Sequence, residues 1–202
     1  MRLLSIFAIT IFFPQYTLFS AVQILFINLV TDTFPSIALG VNDAESDLMK
    51  QPPRDPKQYI IGGRVGVNII YQGITQSLMV LCVFMIGLFG FKNAMQATTM
   101  AFLTINIVQL FHMYNVRTNH SIFASNPFKN KLLNLAFISE LAIILAVALI
   151  PPVANIFNMT QLSIAQWAVI FGVSILIIPI CETVKFFQSL KDKKAKQKQI
   201  EE

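Results

Sequence analysis

Residues 22–41, VQILFINLVTDTFPSIALGV, form a membrane-length apolar run with Asn28, Thr31 and Asp32 near its middle and Pro35 just beyond them. A carboxylate at the centre of a hydrocarbon-spanning helix costs about 3 kcal/mol or more, so such a residue normally faces a bundle interior or an ion path. On an α-helix Asn28, Thr31 and Asp32 fall at i, i+3 and i+4 and share one face. Pro35 has no N–H and its ring crowds the carbonyl of Thr31, so the helix should loosen where the polar residues sit. An amide oxygen, a hydroxyl, a carboxylate and a freed carbonyl are hard oxygen ligands, the set that Ca2+, Mg2+ or Mn2+ prefers. The plainer reading of the same residues is a polar clamp between helices with an incidental proline.

The rest of the chain supplies a membrane setting. Of its 202 residues 55% are hydrophobic and only 12% charged, with a mean hydropathy of +0.64, against about 25% charged in a soluble domain. The expected fold is an all-α, polytopic membrane helix bundle, since helices satisfy their own backbone groups in lipid. A cleaved signal peptide ahead of a polar mature chain is not expected. Cys82 and Cys181 lie inside apolar runs and read as small buried hydrophobes. The net charge of +5 comes from Lys and Arg in short loops and a tail that flank apolar spans, so the implied partner is the lipid bilayer and not nucleic acid.

Residues 1–13 hold an apolar stretch shorter than the roughly 20 residues a spanning helix needs. They read as the back half of a helix whose front is missing, or else as a re-entrant piece, and Pro14-Gln15-Tyr16 separates them from the next apolar run. After the span at 22–41 comes a polar loop, 42–64, in which Pro52, Pro53 and Pro56 block a continuous helix. Further spans are expected at 65–89, 97–115, 132–150 and 167–187, then a basic tail at 188–202. Glu140 interrupts the fourth of these five spans; Ser163 marks a helix start and Pro179 should kink the last span. Lys50, Arg54, Lys57 and Arg64 group in one loop, Arg117, Lys129 and Lys131 in another, and five lysines in the tail, whereas the intervening connectors hold only Lys92. The positive-inside rule therefore places loop 42–64 and the tail in the cytoplasm.

The string INLVTDTFPSIALGVNDAESDLMKQPPRDPK resembles the sixth transmembrane helix and following cytoplasmic loop of P-type cation-transporting ATPases, the calcium-pump branch in particular. An N-x-x-T-D-x-x-P helix is followed by an acidic segment, D-L-M-K and PPRDPK, and the remainder is similar to helices seven to ten in order, including ETVKFF near the end of the tenth. Residues 22–63 carry the diagnostic motifs. The resemblance implies that Asn28 and Asp32 are side-chain ligands of a transported Ca2+, with Mn2+ the other ion such oxygens suit. It implies that Thr31 contributes to a second site in two-ion pumps. A second-site carboxylate is expected on the eighth helix, where this sequence has Gln109. An amide cannot supply that charge, so one ion per cycle is the reading. Asn106 and Gln109, at i and i+3, can both face the site, and His112 reads as a packing residue.

For Glu140 the resemblance supplies no role, and a neutral glutamic acid between helices and a proton or counter-transport role both stay open. Gln72 and Gln76 read as bonds to neighbouring helices, and Glu182 with Lys185 as an anchoring pair near the inner interface. The family's phosphorylated Asp in a DKTGT motif, its nucleotide-binding domain and its fourth-helix ion-binding Glu have no counterpart in these residues. ATP and Mg2+ thus belong to the intact pump, whose N-terminal half, helices 1–5 with the cytoplasmic domains, is the implied partner; the chain should not hydrolyse ATP alone. A bacterial plasma membrane is the expected location. Two further readings are an independent or remnant membrane subunit without transport of its own, and an unrelated small secondary transporter.

Overall fold

A computed structural model describes residues 13–41, 63–118 and 130–201, with Ile6, Ile9 and Ile11 ahead of them. The expectations for most of 1–12, for loop 42–62 with its prolines and basic residues, and for His120 and Lys129 lie outside the described residues. Among the described residues every regular element is helical. In order they are α1 (Ala21–Phe26), a π-helical turn π1 (Ile27–Thr31), α2 (Thr33–Gly40), α3 (Gly63–Met85), a second π turn π2 (Ile86–Gly90), α4 (Ala94–Val116), α5 (Lys131–Leu149), α6 (Pro151–Ile156), α7 (Ile164–Ile175) and α8 (Ile177–Glu201). Five stretches are long and apolar enough to cross a bilayer: Ala21–Gly40, Val65–Gly90, Ala94–Val116, Lys131–Leu149 and Ile164–Leu190. The chain is an integral membrane protein of the all-α, polytopic kind.

Local chemistry sets the helix ends. Ser20 and Ser163 each close a capping box with the glutamine three residues on: the serine hydroxyl accepts from the Gln23 or Gln166 N–H, and the glutamine carbonyl accepts from the serine N–H at 2.8 and 2.7 Å. The amide ends of the same glutamines then reach other elements. Gln23 Nε2 donates to the Phe157 carbonyl (2.9 Å) and Gln166 Nε2 to Gln96 Oε1 (2.8 Å). One residue type thus caps its own helix and ties it to a neighbour at one end of the bundle. Asn93 and Asn130 cap α4 and α5 through their side-chain oxygens. Pro151 and Pro152 follow α5 and start α6, where the missing N–H of a first-turn proline costs nothing. The last span breaks between α7 and α8 at Leu176, just ahead of Pro179, which cannot donate to the turn before it.

The helix at the centre is α4, packed against α3, α5, α7 and α8 and touching α2 and both π turns. Phe102 on α4 meets Phe19 and Phe26 at ring separations of 6.3 and 5.9 Å. A close approach fixes the α3–α4 hairpin: a Cβ placed on Gly87 would stand 2.6 Å from the Ala97 Cα, so only glycine lets π2 lie against α4. Glu182 and Lys185 approach to 3.8 Å on α8.

Candidate cation site

The first spanning helix is not regular where its polar residues lie. The α-helix stops at Phe26, π1 takes up Ile27–Thr31, and α2 begins at Thr33. Pro35 lies one turn on, at the position from which an N–H would have reached Thr31. Single π turns inside α-helices are rare and gather at functional sites. Irregular backbone at membrane depth is tolerated where protein buries it or a cavity receives it.

The three side chains of this turn do not share one environment. Asn28 is exposed on the outer side of the described bundle, Asp32 is half-buried and Thr31 is buried against α4. Thr31 Oγ1 lies 2.7 Å from the Ile27 carbonyl and 3.1 Å from Gln109 Oε1. The hydroxyl has one hydrogen, so it divides a single donation between the loosened backbone and α4. Thr31 and Gln109 are therefore brought together, while Asn28 points elsewhere. Nothing in the sequence marks Ser36, yet its hydroxyl donates to the Asp32 carbonyl at 2.5 Å, beside its own N–H at 3.2 Å. Back-bonding of this kind is a general habit of serine in helices and gives no positional signal.

The other expectations concern α3 and α4. His112 does not face Gln109's partner; its Nδ1 lies 3.9 Å from Cys181 Sγ on α8. Asn106 is fully buried, its Nδ2 donating to the Phe102 carbonyl at 2.6 Å. Gln76 is buried in α3 and Gln72 Nε2 donates to the Tyr71 hydroxyl at 3.2 Å. Among the described residues no three His, Cys, Asp or Glu side chains come together. An ion held here would rest on amide, hydroxyl and backbone oxygens beside Asp32, the donor set of a hard cation. A separate cavity of about 200 Å³, lined by Asn68, Tyr71, Gln72, Asn115, Lys185 and Gln188 among others, lies between α3, α4 and α8 and contains none of these site residues.

The family described as "Cation transporting ATPase, C-terminus" matches residues 16–187. A calcium-transporting ATPase of Bacillus subtilis (strain 168) is 34% identical over 154 residues, covering 76% of this chain and 17% of that protein. Calcium-transporting ATPase 1 of Bacillus cereus is 30% identical over 181 residues, 81% of this chain and 20% of its own length. The similarity extends to an endoplasmic reticulum-type calcium-transporting ATPase 3 of Arabidopsis thaliana, 26% identical over 194 residues, 82% of this chain and 19% of that protein. The chain thus spans about a fifth of the length of the curated relatives it matches.

Proposed function

Because the chain belongs to the cation-transporting ATPases, as their C-terminal region, we propose that it is the membrane part of an ATP-driven Ca2+ pump and contributes part of its intramembrane cation site. What carries the reading is the helix break at Ile27–Thr31, which sets Asn28, Thr31 and Asp32 on irregular backbone at mid-span in a chain whose relatives are named calcium-transporting ATPases. Asp32 and Asn28 are the side-chain ligands from this helix, Thr31 adds a hydroxyl oxygen, and Gln109 a neutral amide from α4. Ca2+ is the cargo; Mn2+ suits the same oxygens. The exposed side of α1–π1–α2, where Asn28 lies, faces the partner half that carries helices 1–5, the nucleotide site and the Mg2+-dependent phosphorylation. Loop 42–64 and the tail lie on the cytoplasmic side of a bacterial plasma membrane.

In the intact pump, phosphorylation of the cytoplasmic domains moves the helices around π1 and alternates the site between a tight inward-facing and a weak outward-facing state. The neighbouring helices α3–α5, α7 and α8 form the support against which that movement is made.

The test joins this chain to the preceding part of the Bacillus subtilis relative and measures ATP-dependent 45Ca2+ uptake into vesicles. Uptake is expected, and Asp32→Asn should weaken Ca2+-dependent phosphorylation by about 100-fold or more, because a hard divalent ion loses a charged ligand. Uptake by the 202 residues alone that survives without ATP would overturn the pump reading, and an Asp32→Asn variant with unchanged Ca2+ affinity would remove Asp32 from the site.

A further inference from the structure

Glu140 sits halfway along α5 with no exposed surface, and neither of its carboxyl oxygens has a hydrogen-bond partner. An unpaired carboxylate at membrane depth is among the costliest groups a helix can carry. Its oxygens therefore call for a positive occupant, either a proton or a cation.

Two bonds between helices fix what stands at its level. The Tyr114 hydroxyl donates to Asn134 Oδ1 at 2.8 Å, and Asn130 Nδ2 donates to the Ala38 carbonyl at 3.5 Å. From the first tie, Gln109 lies five residues along α4 and Glu140 six along α5, a rise of about 8 and 9 Å. From the second, Asp32 lies six residues back and Glu140 ten residues on, about 9 and 15 Å, which differ by roughly one helical turn. Glu140 therefore stands within about a turn of Gln109, Asp32 and Thr31, at the junction where α2, α4 and α5 pack on one another.

Asp32, half-buried on the first span, carries the other carboxylate. Asn106, three residues from Gln109 on α4, has its Nδ2 engaged while its Oδ1 is buried without a partner. His112, the nearby imidazole on α4, turns to Cys181 instead. Buried and half-buried oxygens thus gather within about a turn of one another from three helices, the carboxylates of Asp32 and Glu140 among them.

Resting on the cation-site reading, we propose that Glu140 is a further ligand of the transported cation, reaching the Asp32, Thr31 and Gln109 layer from the bundle side with the Asn106 carbonyl oxygen beside it. All the donors are hard oxygens, and the carboxylates of Asp32 and Glu140 together match the charge of a divalent ion. Glu140 supplies from α5 the charge that Gln109 cannot supply from α4.

Glu140→Gln tests this in the pump completed with the Bacillus subtilis N-terminal part, with Ca2+ as the probe. The amide keeps the shape of the side chain and mimics its protonated form. The variant is expected to lower the Ca2+ affinity of phosphorylation about tenfold or more, and Glu140→Asp to recover part of it. If Glu140→Gln keeps its affinity within about twofold while the parent transports, a proton is all that Glu140 holds; the proposal is then wrong and the pump reading stands. If the parent does not transport, 45Ca2+ binding to the full 202-residue chain in lipid nanodiscs replaces the first readout. There, binding that Glu140→Gln weakens and Glu140→Asp restores supports the proposal, while equal binding by parent and Glu140→Gln, or none by either, overturns it.

Discussion

The α4 span and the α1–π1–α2 span have nearly the same hydropathy, but 67% of the first and 33% of the second is buried within the chain. The central helix buries Phe102, Leu103, Ile105, Ile107 and Leu110 around its whole circumference; the other leaves Leu25, Leu29, Phe34 and Ile37 open. In lipid, apolar surface is no signal of burial, because the solvent is as apolar as leucine. What separates the two helices is where their polar groups go. On α4 the buried Thr104 and Asn106 bond back to their own turn, to the Met100 and Phe102 carbonyls. On the first span Thr31 bonds outward as well, to Gln109, and the turn that carries it has given up α-helical geometry. Thr104 and Asn106 serve the regularity of their own helix, whereas Thr31 also serves a junction.

Hollowing the central helix has the largest expected effect. Phe102→Ala should cost about 3 kcal/mol by cavity formation, read as a loss of resistance to denaturation in detergent, while Leu29→Ala on the open face should stay within about 0.5 kcal/mol. Equal losses would mean that α4 is not the hub. Next comes the hairpin contact: Gly87→Val sets a side chain where even a Cβ meets the Ala97 backbone at 2.6 Å, and overpacking of that kind should cost about 2 kcal/mol in the same assay. The smallest effect is expected at the junction. Thr31→Val, paired with Gln109→Leu in a double-mutant cycle, should show a coupling of about 0.6 kcal/mol, the usual worth of a polar bond between membrane helices. A coupling near zero would make the Thr31–Gln109 bond incidental to stability.

Much of this was legible from residue order. Five spans emerge from length and hydropathy, and Pro35, lacking an N–H, announces trouble at Thr31 one turn ahead. The sequence does not disclose that the trouble takes the form of a π turn, nor that a second one sits at Ile86–Gly90 without any proline. Whether a loosened turn widens or simply frays depends on packing against α4, which residue spacing does not record. The same holds for the site. Asn28, Thr31 and Asp32 share a face on an ideal helix, yet Asn28 is exposed and Thr31 buried. The bond to Gln109 crosses 78 positions of chain and leaves no local trace. Glu140 was conspicuous as a charge in an apolar run, but only its burial without a partner shows that something must balance it.

The π turn at Ile27–Thr31 is also a slip in phase. Each such turn takes up about one residue more than an α-helical turn, so α2 cannot be numbered as a continuation of α1. Pro35 and Ala38 face inward because of that extra residue. Winding the same residues as regular α-helix would rotate everything beyond the turn by about 100°. The span would keep its composition and hydropathy, yet Ala38 would swing away from Asn130. In this helix the arrangement of the site is stored in a count of residues as much as in their kind.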